Sequence, residues 1–297
     1  MFNLNIFRCM RKSLFGVCLS LLSLSFVCQA QQLRLHIVNP NDVVKQEPID
    51  DVVFTVQYEE NFVVDISKPE RIETETMLLK VGKKSAAYYS YTKYLSDSTM
   101  RADIAAGADM EVVRQNAIKY NAKIRTSLYK NFPTGKVTTL DQLAGSKLRC
   151  EEDNERPEWT VHEDTLTVAT YLCTKATCHF KGRDYVAWFT PEIARSEGPW
   201  KLHGLPGLIL KAEDSEGHYS FICTGIEQTR DKEEIMFGAD GYQSVSRKDM
   251  ARLYERFMAD PTAYVRASSP NVRLHIRTPD GQEGSGPKNL PYNPIER

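Results

Sequence analysis

Apolar and polar positions alternate over Leu33-Arg34-Leu35-His36-Ile37-Val38, and Val52 to Tyr58 is β-branched and aromatic throughout, so both stretches predict strands. Asn39-Pro40-Asn41-Asp42 is a turn between them. Thr74 to Val81 and Ala86 to Tyr91 form a second pair, joined by the short polar Gly82-Lys83-Lys84-Ser85 as in a hairpin. The period then changes. From Asp109 to Tyr129 there is no proline or glycine, and Met110, Val113, Ala117, Tyr120, Ile124 and Leu128 recur at helical spacing. This predicts one long amphipathic helix capped by Asp109 and ended by Phe132-Pro133-Thr134-Gly135.

From Lys136 the pattern returns to strands. Trp159 to Val161, Thr165 to Val168, Tyr171 to Phe180, Tyr185 to Phe189 and Tyr219 to Cys223 follow at short spacing, with turns between them. In the third of these, Leu172, Ala176, Cys178 and Phe180 are expected to share the buried face. Arg247 to Ala259 predicts a shorter helix, with a Ser246-x-x-Asp249 capping-box variant before it and Pro261 after it. Strands joined by turns imply a meander rather than βαβ units. The expected fold is therefore α+β: a curved, mainly antiparallel sheet resembling a half-barrel. The long helix packs on its concave face, assisted by the short C-terminal helix.

Trp188 to Leu210 holds two tryptophans, three prolines and three glycines around the apolar run Leu208-Ile209-Leu210. Leu205-Pro206-Gly207-Leu208 has type II turn chemistry, with proline setting the first central φ and glycine taking a positive second one. The run after it reads as a buried strand, so Gly204, Leu205, Pro206, Gly207, Leu208, Ile209 and Leu210 are expected to build structure.

Residues 1–30 read as a secretory signal: Arg8, Arg11 and Lys12, then apolar Leu14 to Val27, then Cys28-Gln29-Ala30 for cleavage after Ala30. Three of the 38 basic and none of the 39 acidic residues leave with it, so net charge moves from −1 to −4. That excludes an electrostatic case for nucleic acid. No later stretch is long enough to span a bilayer. Residues 31–297 are expected to form a single domain, exported to the periplasm, envelope or medium, with a poorly ordered tail from about 278.

Cys150, Cys173, Cys178 and Cys223 remain after cleavage, an even number in an oxidising compartment, and predict two disulfides. Cys173 and Cys178 are five apart in a strand and point to opposite faces. The open pairings are Cys150–Cys173 with Cys178–Cys223, or Cys150–Cys178 with Cys173–Cys223. C-x4-C without a second close pair is poor zinc spacing, so no metal and no cofactor are expected.

Trp188-Phe189-Thr190-Pro191-Glu192-Ile193, Gly198-Pro199-Trp200 and Gly204-Leu205-Pro206-Gly207-Leu208-Ile209-Leu210 together resemble the signature of the GLPGLI family of exported Bacteroidota proteins. Tyr171-x-Cys173-x-Lys175-Ala176, Phe180-x-Gly182-Arg183 and Tyr292-Asn293-Pro294-Ile295-Glu296 support the resemblance, which is dense from about Trp159 to Ile226. It implies no established activity and no catalytic residues. Cys178 is extra relative to the family's usual single cysteine in that strand, so a second disulfide is particular to this member or Cys178 stays reduced.

The six histidines are dispersed and form no H-x-x-x-H pair, and no G-x-S-x-G, P-loop or G-x-G-x-x-G is present. His203, Arg183 and Trp200 are the weak binding candidates. Glu192, Glu197, Glu213 and Asp214 are the carboxylates a glycosidase pair would draw on, and Arg183 with Glu192 is a candidate ion pair. The reading is a non-enzymatic exported protein that binds an apolar ligand or an envelope or outer-membrane partner. The alternative is a hydrolase acting on envelope or host polymers.

Overall fold

The computed structural model describes residues 45–229, 232–268 and 286–297. The expected strand at Leu33–Val38 and the expected signal sequence lie outside them. In chain order the elements are β1 (Glu47–Val63), β2 (Ile72–Gly82), β3 (Ala86–Ser90), α1 (Tyr91–Ala105), α2 (Met110–Lys119), β4 (Ser127–Lys130), β5 (Lys136–Leu143) and β6 (Ser146–Asp153). There follow β7 (Thr160–Val168), β8 (Tyr171–Phe180), β9 (Arg183–Thr190), β10 (Leu208–Asp214), β11 (Tyr219–Gln228), β12 (Glu234–Phe237), β13 (Gln243–Ser244), α3 (Arg247–Ala259) and α4 (Pro261–Ser268).

The strands form one sheet in the order β13-β6-β5-β4-β3-β2-β1-β11-β10-β9-β8-β7, with β12 paired to the start of β1. Two meanders, β1 to β6 and β7 to β11, are thus joined by the antiparallel pairing of β1 with β11. Among the described strands, only the two-residue β13 runs parallel to its neighbour. The order forces curvature. Strands β6 and β7 stand ten positions apart, about 48 Å in a flat sheet, yet Asp153 to Thr160 can span at most about 25 Å. The sheet therefore curls without closing. Lys181, in the β8–β9 turn, accordingly reaches Glu152 of β6 at 3.7 Å.

The inner face carries the main core. Val56, Tyr58, Met77, Leu79, Val81, Tyr88, Phe189, Leu210 and Phe221 are buried there together with Trp200, Leu202 and Leu205, which come from the 191–207 loop. A smaller cluster of Val52, Ala87, Tyr129, Leu140 and Ile235 lies apart from it. Alternation splits β3 between the two, Ala86 and Tyr88 to one and Ala87 to the other.

Several expectations are corrected. The helix from Asp109 to Tyr129 ends at Lys119, and Ser127–Lys130 is instead β4, a fully buried strand between β3 and β5. A buried strand of four residues shows no period of its own, so its Leu128 falls on the helical series by coincidence. Asp109 does cap α2, accepting from the Glu111 amide at 2.8 Å. The preceding α1 was not read from the sequence, because its apolar residues mark no face and it buries none of them. In α1, Tyr94 stacks on Tyr89 and sits over Lys80, on the side of β2 and β3 away from Leu79 and Tyr88. Filling of the inner face falls to the 191–207 loop, to α3, whose Met250 packs on Leu148 and Cys150, and to residues 286–297.

The four cysteines among the described residues are free and buried. Neither predicted pairing forms: Cys150 packs with Leu143, Leu148, Met250 and Tyr264, whereas Cys173, Cys178 and Cys223 belong to the main core. Burial raises every one of these thiols, Cys178 to about 12 and Cys173 and Cys223 to about 11, which leaves them unreactive. On β8, Cys173 is buried and Leu172 exposed, the reverse of the expected face at that end. Ala176, Cys178 and Phe180 are buried as expected.

Candidate functional site

Arg183 opens β9 with its side chain turned into the core, where it is almost fully buried. A buried guanidinium needs its charge and its donors answered. Asp214, at the end of β10, meets it at 2.5 Å. The C-terminal segment supplies the rest: Arg183 donates to the carbonyls of Ile295 and Pro294 and to Asn293 Oδ1 at 3.0, 2.6 and 2.7 Å. The guanidinium also lies 4.7 Å from the ring centre of Tyr219, whose hydroxyl donates to the Asn293 carbonyl. Asn293 itself donates to the carbonyl of Val63 at 2.7 Å. Residues 293–295, within the tail expected to be poorly ordered, are in this way bound to β1, β9 and β11. The expected Arg183–Glu192 pair is replaced by Arg183–Asp214, because Glu192 lies exposed beyond the far end of β9.

The loop between β9 and β10 is held by two more buried cations. Lys130 of β4 donates to Glu197 at 2.9 Å and to the Gly198 carbonyl at 2.6 Å. Lys201 sits between Glu152 at 2.9 Å and Glu296 at 2.7 Å. Trp200 packs edgewise on Phe180 at 5.9 Å and beside Tyr185 at 6.0 Å. His203 bonds through Nδ1 with the Lys201 carbonyl at 3.0 Å, and its own carbonyl accepts from Trp159 Nε1 at 2.8 Å. Burial, reinforced by the nearby Lys130 charge, lowers the His203 pKa. The Gly207 amide donates to the Leu205 carbonyl at 2.8 Å, a three-residue γ-turn about Pro206. With φ at 158°, Gly207 does not have the conformation of a type II turn. His203, Arg183 and Trp200 are thus each engaged in contacts within the fold.

The candidate carboxylates are likewise dispersed. Glu197 answers Lys130, Glu213 pairs with Lys211 at 3.0 Å, and Asp214 answers Arg183. Asp214, Glu216 and His218 come close enough for one cation. Arg183 and Arg297 already occupy their oxygens, and Asp214 Oδ1 accepts the amides of His218 and Tyr219. A metal ion would have to displace two guanidiniums, so the cluster does not fit one.

A different carboxylate pair is the unusual feature of the inner face. Glu60 and Glu75 are directly opposite in the β1–β2 register, and both are buried. Glu60 accepts from the Tyr88 hydroxyl at 2.7 Å. Glu75 accepts from Ser90 Oγ and from the Lys123 amide, each at 2.7 Å. Burial, reinforced by the Glu75 charge and opposed by the Tyr88 bond, raises the Glu60 pKa to about 7. The sequence held a usable signal for this pair: Glu60 continues the inward positions Val56 and Tyr58, and Glu75 precedes Met77, Leu79 and Val81. Two acids in phase with buried positions on adjacent strands mark a buried polar pair.

Residues 180–211 match a family described as "Protein of unknown function (Porph_ging)". The matched stretch covers β9, the loop that fills the inner face, and the start of β10. No curated protein matches the chain. Two solved structures of PNGF-II are similar to it: one in space group P21 with TM-score 0.46 and 10% identity over 69% of this chain, and one in C2 with TM-score 0.44 and 12% identity over 66%. The chain spans about a third of the length of each, 33% and 32% respectively. A likeness at this level carries no inference about activity.

Proposed function

We propose that this is an exported, GLPGLI-type envelope protein that works by binding a partner polypeptide along an exposed strand. The observation that carries the reading is β7. It ends the sheet, pairs only with β8 among the described residues, and buries one of its nine residues, Val168. Such an edge presents unpaired backbone donors and acceptors to an extended segment. Around it Val161 is 52%, Leu166 39% and Leu172 58% exposed, with Leu166 and Leu172 on opposite faces of the β7–β8 pair, so apolar side chains flank the edge on both sides. The expected apolar ligand has less support, since Trp200, Leu202 and Leu205 fill the inner face from the protein's own loop. A hydrolase would need Glu60 and Glu75 to meet substrate, and both are sealed from solvent.

The test is site-specific photo-crosslinking in the native envelope. A crosslinker at Leu166 or Leu172 is expected to capture one common protein. One at Ile66, exposed on the β1–β2 connection, is expected to capture none. Leu172→Lys with the crosslinker at Leu166, and Leu166→Lys with the crosslinker at Leu172, should each abolish the capture without lowering stability. Equal capture from Ile66, or turnover of a polymer by the purified protein, would sink the proposal.

A further inference from the structure

Both ends of the α1–α2 insertion converge on one carboxylate. Ser90, which caps α1 by accepting the Lys93 amide at 3.0 Å, donates its hydroxyl proton to Glu75 Oε1. Lys123, four residues past α2, donates its amide to Glu75 Oε2. The insertion is otherwise held by few buried apolar groups: α1 buries no residue, Val113 of α2 and Ala122 after it are the buried ones among the described residues of 91–123, and Tyr91, Tyr94, Met110 and Val112 are exposed on the two helices. Segments with so little buried apolar contact open at low free-energy cost, so the Glu75 bonds carry an unusual share of the attachment.

The charge state of Glu75's surroundings then matters. Glu60 faces it across the β1–β2 pair. From β3 the facing titratable group is Tyr88, and from β11 it is Tyr219, which feels the Glu60 charge. Tyr58, on Glu60's own strand, lies 6.4 Å from Tyr88, ring centre to ring centre. The Lys123 ammonium turns to Glu73 at 2.6 Å, and Arg183, above Tyr219, is committed to Asp214. Neither Glu60 nor Glu75 has an ion-pair partner among the described residues. Two ionised carboxylates opposed in a buried strand pair repel strongly, and one shared proton removes that repulsion.

We infer that Glu60 and Glu75 form a proton-operated latch: with one proton on the pair the α1–α2 insertion is held to the sheet, and with both carboxylates ionised it is released. Release acts on the Ser90 and Lys123 bonds, because Glu75 must move away from Glu60 and cannot keep both. The latch is independent of the partner proposed for β7.

Hydrogen exchange on the full chain, corrected for intrinsic rates, tests this between pH 6 and 8. Protection across 91–126 should fall about tenfold or more in the wild type, while β1, β2 and β11 keep theirs. Glu60→Gln should hold protection constant over the range. An unchanged wild type overturns the latch, and so does a Glu60→Gln variant that loses protection as the wild type does. Should Glu60→Gln not fold, carboxyl-carbon NMR of the wild type decides instead. One glutamate titrating near neutrality together with the loss of protection supports the latch; every glutamate titrating in the ordinary range overturns it.

Discussion

A Cβ placed on Gly207 would lie 2.1 Å from the carbonyl oxygen of Thr190 and 3.0 Å from Pro191 Cα. Both neighbours are backbone at the end of β9, so no side chain can swing aside. Glycine is required here because two chains approach, and the γ-turn about Pro206 brings them together. Gly207→Ala should therefore cost about 3 kcal/mol or more, read as a lower urea midpoint with an unchanged slope. A loss below about 1 kcal/mol would show that the loop has another way to sit. The need for glycine was legible in the sequence, but its cause was not: Pro-Gly announces a turn, and close approach depends on what lies across from it. The same holds for Arg183. A lone arginine after Gly182 gave no sign that its acceptors lay at residues 293–295, more than a hundred positions away.

At the scale of elements, chemistry written locally was readable and chemistry supplied from a distance was not. Tyr171–Phe180 and Arg247–Ala259 match their elements at both ends, since alternation bounds the first and the Ser246 cap with Pro261 bounds the second. By contrast, β4 takes its identity from β3 and β5 on either side, and the segment 286–297 takes its order from Arg183. Deleting residues 291–297 removes three acceptors from a buried guanidinium and both Glu296 contacts, to Lys201 and Arg247. Leaving a buried charge so poorly answered should cost about 3 kcal/mol or more. Arg183→Met together with Asp214→Asn in the truncated chain should recover part of that loss, because it removes the stranded charge and its buried counter-ion. If truncation left thermal stability untouched, the segment would be only resting on the surface.

For the molecule as a whole, the meanders were legible from turn spacing, but the pairing of β1 with β11 was not. That pairing sets the curl, and the curl turns Glu60, Glu75, Lys130, Lys201 and Arg183 into interior groups. Most of these charges find partners of opposite sign; the exception is the Glu60–Glu75 pair, and its effect on global stability has a definite sign. Unfolded, Glu60 ionises near the ordinary 4.5; folded, it ionises at about 7. Between those values the native protein keeps a proton that the unfolded chain gives up. Stability from this group is therefore complete below about pH 4.5, declines as pH rises toward 7, and stays low above it. The gap corresponds to about 3 kcal/mol. Urea unfolding of the wild type should show midpoints that fall between pH 5 and 8, whereas Glu60→Gln, which cannot ionise, should lose much less over the same range. The two curves should approach or cross toward pH 8, where the neutral amide is spared the cost of a buried second charge. A constant offset between wild type and Glu60→Gln at every pH would mean that Glu60 is ionised throughout and that the pair is stabilised by something other than a proton.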